Sequence, residues 1–170
     1  MSERSASCGI QAAPLLKRSE LLFGLSEVPR PTGVTYLDQD LGRELQAILL
    51  YLWCRSMAFG IRGHELREIL EPEVHAEIKH VEFLADKIIA FGGTPSFEVP
   101  PWKRPTNLSE MLQYALSIER EAVKAYTERV DEASELGETA LQVKLEELIT
   151  DETEHLELLQ RLVKGLTPEM

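Results

Sequence analysis

Apolar residues recur at intervals of three and four along the chain from about residue 35 onward, which is the spacing of one face of an α-helix. The pattern breaks at Gly63 and again at Gly92 and Gly93. Asn107, followed by Glu110 three residues later, has the spacing of a helix N-cap. Four helices are predicted, at about residues 37–62, 65–91, 107–137 and 138–164.

The segment between the second and third predicted helices, "TPSFEVPPWKRPT", contains four prolines and cannot be helical throughout. Two short turns and this long crossover between helices 2 and 3 predict an all-α fold, a four-helix bundle. An α-solenoid is the alternative, but two helix pairs are too few for a stable repeat array.

Residues 1–34 differ from the rest of the chain because prolines and glycines interrupt them. We predict that they form an N-terminal arm, with one short amphipathic helix in "LLKRSELLFGL", that docks on another surface. Residues 35–170 are then the bundle.

One phrase occurs twice. "EIKHVEFL" begins at Glu77 and "ETEHLELL" begins at Glu152, 75 residues later, and both read Glu-x-x-His. The same interval relates "ELQAILLY", which begins at Glu44, to "EREAVKAY", which begins at Glu119. The repeat predicts two helix pairs related by a pseudo-twofold axis, each supplying a Glu, a Tyr and a Glu-x-x-His.

Each predicted helix carries an apolar stripe that one glutamate interrupts, and in two helices a histidine lies one turn further along. An unpaired buried carboxylate costs several kcal/mol, and no lysine or arginine lies on these stripes to offset the cost. Two divalent cations would balance four carboxylates, and carboxylate with imidazole favours iron or manganese. Solvated faces of amphipathic helices are the alternative. The candidate ligands are Glu44, Glu77, His80, Glu119, Glu152 and His155.

Two tyrosines, Tyr51 and Tyr126, each lie seven residues after a candidate ligand, two turns along the same face. Ordinary packing and a hydrogen-bonding or electron-relay role are both open, and we include Tyr51 among the candidate catalytic residues. Cys54 is predicted to be a small core residue. Four further residues are predicted to be exposed to solvent: His64, His75, Glu82 and Glu121.

The amino-acid composition of the chain limits the kinds of partner and the location that we expect. The formal net charge of −11 argues against a nucleic-acid partner and favours attraction of cations. Two cysteines, Cys8 and Cys54, do not make a disulfide framework, and a cytoplasmic location is expected. No stretch has the length of a membrane span, and the N-terminus lacks the pattern of a signal peptide.

The segments "LGRELQAILLY", "EIKHVEFLADKI", "SIEREAV" and "DETEH" resemble those of bacterioferritins in the ferritin-like di-iron superfamily, over about residues 37–165. The resemblance implies a ferritin-like bundle with two iron ions per chain, for which manganese or zinc can substitute. It implies a ferroxidase, in which O₂ or H₂O₂ oxidises Fe²⁺ for storage in a hollow shell. The implied roles are terminal carboxylates for Glu44 and Glu119, bridging carboxylates for Glu77 and Glu152, and one iron each for His80 and His155.

The chain departs from bacterioferritins at several positions. Ile78 replaces the methionine that binds haem in that family, so no haem is expected. Pro72 and Ala76 stand where some members carry an inner-surface iron site, so that electron route is not expected either. Only about five residues follow Gly165, too few for a fifth helix, which with the arm favours a Dps-like homo-oligomeric cage of twelve subunits over one of twenty-four.

Other functions remain open at this point. A peroxide reductase of the rubrerythrin type is the second hypothesis, although the chain lacks a Cys-rich domain and Glu121 falls off the apolar stripe. A manganese catalase or a substrate oxygenase is a third. A non-catalytic helical interaction module is the alternative from another class, and it predicts that no metal binds.

Overall fold

The computed structural model of the chain describes residues 32–166, except for the side chains of residues 32–34, 61, 62 and 166. Four α-helices and no strand occur within this range, so the all-α prediction is confirmed. No helix in it is long and apolar enough to cross a membrane. The predicted arm of residues 1–34 lies outside the described residues, except that the first helix begins at Thr32. The helices are α1 Thr32–Met57, α2 Gly60–Ala90, α3 Leu108–Glu135 and α4 Thr139–Leu166.

The turn between α1 and α2 lies about five residues earlier than the sequence indicated. The prediction that the first helix extends to about residue 62 and stops at Gly63 is wrong, because α1 ends at Met57 and α2 already begins at Gly60. Gly60 takes the positive φ of 73° at this turn. Gly63 lies inside α2, where a Cβ atom would stand 2.5 Å from the carbonyl carbon of Ala58. Gly63 therefore allows α2 to pack against the backbone of Ala58, and it does not end a helix.

Three other helix ends follow the sequence signals, whereas α1 begins at Thr32, before the predicted residue 37, and α4 continues to Leu166. Gly92 and Gly137, with φ of 76° and 71°, come just after α2 and α3. Asn107 caps α3, and its side-chain oxygen accepts a hydrogen bond from the Glu110 N–H at 2.9 Å.

The long connection runs along α1. The Ser96 N–H donates to Asp38 Oδ1 at 2.8 Å near the start of α1, and Trp53 Nε1 donates to the Pro105 carbonyl at 2.7 Å near its end. The connection therefore travels in the same direction as α1, and α3 starts beside the end of α1 and returns antiparallel to it. Gly42 lies on α1 between these two contacts, one turn after Asp38, where the carbonyl of Glu98 approaches the helix.

The apolar core divides into two clusters along the bundle axis. The first surrounds the α1–α2 turn and includes Leu50, Leu70 and Leu112. The second surrounds the start of α1 and includes Leu41 and Leu84, which are completely buried. Four buried glutamates, Glu44, Glu77, Glu119 and Glu152, lie between these clusters. They form a polar layer that has apolar packing on both sides along the bundle axis.

A buried ion pair joins α1 to α3 beside that layer. Asp40 and Arg129 are 1% and 7% exposed, and Arg129 Nε lies 3.2 Å from Asp40 Oδ2. Arg43 also contacts Asp40. Burial raises the pKa of Asp40 to about 6, although the two guanidinium groups oppose the shift. Arg129 thus pairs with Asp40 and leaves the carboxylates of the predicted site without an arginine partner.

Replacing Gly42 with alanine is expected to destabilise the fold, although alanine is the better helix former by about 1 kcal/mol. The new Cβ atom would stand 2.7 Å from the Glu98 carbonyl oxygen, which is backbone and cannot rotate away. Overpacking of this kind costs about 1–3 kcal/mol. Urea unfolding of the two proteins measures the difference.

The control is Gly165→Ala, because a Cβ atom there meets no heavy atom within 4 Å. It should leave stability unchanged or raise it by up to about 1 kcal/mol. Equal effects of the two substitutions would show that the connection does not press on α1 at Gly42.

Candidate metal centre

The six candidate ligands meet in the middle of the bundle, and every one is at most 7% exposed. Each lies on its helix where one face turns inward, so the apolar stripes of the sequence do describe the buried faces. One glutamate comes from each of α1 and α3, and a glutamate with a histidine three residues later comes from each of α2 and α4. The residues are Glu44 on α1, Glu77 and His80 on α2, Glu119 on α3, and Glu152 and His155 on α4.

The six residues form two groups of four that share Glu77 and Glu152. The first group adds Glu44 and His80, and the second adds Glu119 and His155. Within each group, one nitrogen or carboxylate oxygen from every residue lies within 4.8 Å of the others. This is the spacing at which a single ion can be held, and the two shared carboxylates would lie between two such ions.

The inner edges of both imidazole rings face the shared carboxylates. His80 Nδ1 lies 2.9 Å from Glu152 Oε1, 3.2 Å from Glu77 Oε2 and 3.3 Å from Glu44 Oε2. His155 Nδ1 lies 2.9 Å from Glu77 Oε1 and 3.6 Å from Glu152 Oε2. The rings are stacked with their centroids 6.1 Å apart.

The outer edges of the rings meet two carboxylates that sequence reasoning missed. His80 Nε2 lies 3.3 Å from Asp151 Oδ2, and His155 Nε2 lies 3.0 Å from Glu73 Oε2. Neither acid interrupts an apolar stripe, which is why the pattern did not single them out. Their only sequence signal is position: Asp151 lies one residue before Glu152, and Glu73 lies one turn before Glu77.

The two tyrosines bond across the pseudo-twofold axis. The Tyr51 hydroxyl on α1 donates to Glu119 Oε1 on α3, and the Tyr126 hydroxyl on α3 donates to Glu44 Oε1 on α1. Burial, followed by the nearby glutamates, raises the pKa of both phenols, which keeps them protonated as donors. The hydrogen-bonding role is therefore present in the structure, and the redox role of Tyr51 stays a prediction.

The four glutamates of the site differ in the direction in which their pKa values are shifted. Burial, and after it the neighbouring carboxylates, raise the pKa of Glu44 and of Glu119. Burial acts in the same sense on Glu77 and Glu152, but close polar contacts, those with His80 and His155 among them, lower the pKa of both. Burial would lower the pKa of His80, yet its contacts with glutamates raise it to about 12.

The donor set fits metal ions. Glu77 Oε1, both carboxylate oxygens of Glu152 and the Nδ1 atom of His155 are buried, and they make close contacts with one another and with His80 but no well-aligned hydrogen bond. Buried polar atoms are normally satisfied, and carboxylate oxygens with imidazole nitrogens are the donors that iron and manganese accept. The role of each residue as a ligand stays a prediction, but these four atoms belong to Glu77, Glu152 and His155, which are all in the second group.

The residues predicted to be exposed are indeed exposed: His64, His75, Glu82 and Glu121. Cys54 is completely buried in the first apolar cluster, as expected for a core residue. Its thiol is free, and burial raises its pKa to about 12. Cys8 lies outside the described residues.

Comparison with known proteins gives the same picture. Bacterioferritin from Mycobacterium leprae (strain TN) is 27% identical over 131 residues, which cover 76% of this chain and 82% of that protein. A ferritin-like, diiron-carboxylate protein from Bacillus anthracis str. Ames is similar in structure, with a TM-score of 0.75 and 38% identity over 77% of this chain and 94% of that one.

Bacterioferritin from Rhodobacter capsulatus, whose structure has a metal-free dinuclear site and haem iron, gives a TM-score of 0.67 with 26% identity over 78% of this chain and 83% of that one. The family model for a ferritin-like domain matches residues 34–167, which is most of the chain. Taken with four helices that bring together two Glu-x-x-His motifs and two further glutamates, this match shows that the chain belongs to the ferritin-like family.

Proposed function

We propose that the protein is a ferroxidase of an iron-storage cage, which binds two Fe²⁺ ions per chain and oxidises them with O₂ or H₂O₂. The observation that supports it is the pair of four-residue groups that share Glu77 and Glu152. Two ions in such groups lie close enough for one oxidant to take an electron from each. Family membership supports iron chemistry in general, and the particular reaction is our proposal.

The residues have separate tasks in this proposal. Glu77 and Glu152 bridge the two ions, and Glu44 with His80 and Glu119 with His155 complete the two ends. Each tyrosine holds the outer oxygen of a terminal carboxylate, which leaves the other oxygen to the ion. Tyr51 bonds to Glu119 in this way, and we retain it as a candidate electron relay.

The alternatives find less support. A rubrerythrin-type peroxide reductase would need an additional ligand on the third helix, and Glu121 is exposed and outside both groups. Nothing specific favours a catalase or an oxygenase. A non-catalytic interaction module gives no reason for buried carboxylates that lack hydrogen bonds.

We further propose that copies of the chain assemble into a closed homo-oligomer that stores the ferric product. Closed symmetry is the usual outcome of repeated identical contacts. A net charge of −11 per chain, turned partly toward a cavity, would concentrate Fe²⁺ inside it. We favour twelve subunits, a site without haem because Ile78 offers no sulfur ligand, and a cytoplasmic location.

Replacing Glu77 and His80 together with alanine should abolish rapid Fe²⁺ oxidation and reduce bound iron below two ions per chain. Glu77 belongs to both four-residue groups, so its loss disables both positions. Stopped-flow absorbance of ferric product and metal analysis measure the two effects. The matched control is His75→Ala with Glu82→Ala, which removes one exposed histidine and one exposed glutamate from the same helix. Normal oxidation in the Glu77 and His80 variant would refute the assignment.

Metal binding should release up to about four protons per chain when two divalent ions enter. Without metal, the raised pKa values place protons on His80, His155 and the two terminal carboxylates, Glu44 and Glu119. In the metal-free site these protons neutralise the negative charge of the four glutamates. Divalent ions neutralise the same charge when they bind, so they must displace the protons. Affinity should therefore fall as the pH is lowered.

Calorimetric titration with Zn²⁺ in buffers of different ionisation enthalpy counts the released protons. The Glu77→Ala, His80→Ala variant serves as the control, since it should bind and release less. Binding of two ions with no proton release would contradict the proposed charge balance.

Native mass spectrometry should find an assembly of about twelve chains without haem. A mass near twenty-four chains would contradict the proposed size but keep the storage role. A monomer or dimer would remove the storage role and make the peroxide reductase the better hypothesis. A haem mass at stoichiometric level would direct attention to Met57 and Met111 as ligands.

A further inference from the structure

We propose that Glu73 is a positioning residue that fixes the ring and the tautomer of His155, and that the second four-residue group depends on it. The inference rests on the proposed function, because it assumes that His155 binds a metal ion through Nδ1. Glu73 belongs to neither group of candidate ligands.

The geometry of His155 requires a proton on one particular nitrogen. Its Nε2 atom lies 3.0 Å from Glu73 Oε2, and an ionised carboxylate can only accept a hydrogen bond. With an ion at Nδ1 the imidazole would be neutral and would have one N–H, so Glu73 would hold that proton on Nε2 and leave the lone pair of Nδ1 to the ion. Nδ1 itself is buried and lies 2.9 Å from Glu77 Oε1, so it faces the carboxylate that both groups share.

Glu73 is well placed for this role because little water reaches it. Its side chain is 13% exposed, and its Oε2 atom is buried with no hydrogen bond other than the contact with the ring. A hydrogen bond that does not compete with water holds a ring more firmly than an exposed one. The carboxylate lies one turn before Glu77 on α2, so it approaches from the side of His155 opposite to the ligands.

The other histidine is held differently. His80 Nε2 lies 3.3 Å from Asp151, whose side chain is 52% exposed. The 75-residue repeat does not relate the two acids, because it pairs Asp151 with Ala76 and Glu73 with Leu148. The candidate ligands are therefore related by the repeat, but the two carboxylates that contact the outer ring nitrogens are not. The one in the second group, Glu73, is the more deeply buried.

The test is Zn²⁺ binding to the metal-free protein, followed by calorimetry, in the variants Glu73→Ala, Glu73→Gln and Asp151→Ala. Loss of such a support lowers metal affinity by about 10–100-fold. Glu73→Ala should show this loss at one of the two ions, while the other stays within about 3-fold of wild type. Glu73→Gln keeps an acceptor oxygen and should recover most of the affinity. Asp151→Ala should have a smaller effect, and Glu68→Ala, an exposed change on α2, should have none.

A second measurement distinguishes positioning from a general structural effect. Nitrogen-15 NMR of the histidine rings in the Zn²⁺-loaded protein should show His155 with its proton on Nε2 in wild type and in Glu73→Gln. Glu73→Ala should broaden or lose that signal and leave the His80 signal in place. Circular dichroism checks that the helices remain, and if Glu73→Ala does not fold, the milder loss expected in Glu73→Gln decides the question.

The outcomes separate the two hypotheses. If wild type binds fewer than two Zn²⁺ ions per chain, the proposed function fails. If wild type binds two, and Glu73→Ala either binds both with unchanged affinity or weakens both equally, the role of Glu73 is overturned while the ferroxidase proposal stands.

Discussion

Four carboxylates packed side by side in the centre of an apolar bundle are the constraint on which this structure depends. Each charge removed from water costs several kcal/mol unless something opposite in sign stands beside it. Among the described residues only two histidines do so, and the two arginines near the layer, Arg43 and Arg129, pair with Asp40 instead. The centre is therefore neutral only with extra protons or with metal ions. A bundle built for stability alone would carry leucines at these positions.

The rest of the fold keeps this layer in place. Apolar clusters pack at both ends of it, so the helices cannot slide along one another without exposing leucines. The α1–α3 contact is fixed in register by two tyrosine hydroxyls that bond in opposite directions, Tyr51 to Glu119 and Tyr126 to Glu44. The connection bound along α1 ties the two helix pairs together. Long helices are thus needed less for the candidate ligands, which span about one turn of α2 and of α4, than for the packing that holds them.

Much of this was predictable, and the failures have a common cause. The bundle and the six clustered residues follow from the period of the apolar stripes and from a phrase written twice, both of which are local in sequence. Gly63 was misread because a glycine that ends a helix and one that admits a neighbouring backbone look the same in a sequence. Arg129, Glu73 and Asp151 were missed because they lie beside the apolar stripes, where only the approach of another helix decides what they touch.

The two halves of the layer are similar in ligands and different in surroundings, and this difference has a physical consequence. One turn beyond the Glu44 and Tyr126 pair lies the charged pair of Asp40 and Arg129. The repeat puts Ala115 and Cys54 at the corresponding positions beside Glu119 and Tyr51, and both are buried and uncharged. An ion at the first end would lie near the Asp40 and Arg129 pair, whereas an ion at the second end would have Ala115 and Cys54 at those positions and the Glu73 carboxylate behind His155. Identical donors in unequal dielectric surroundings do not bind with equal affinity. If two ions bind as proposed, we expect the order in which the two positions fill to depend on residues that touch neither ion.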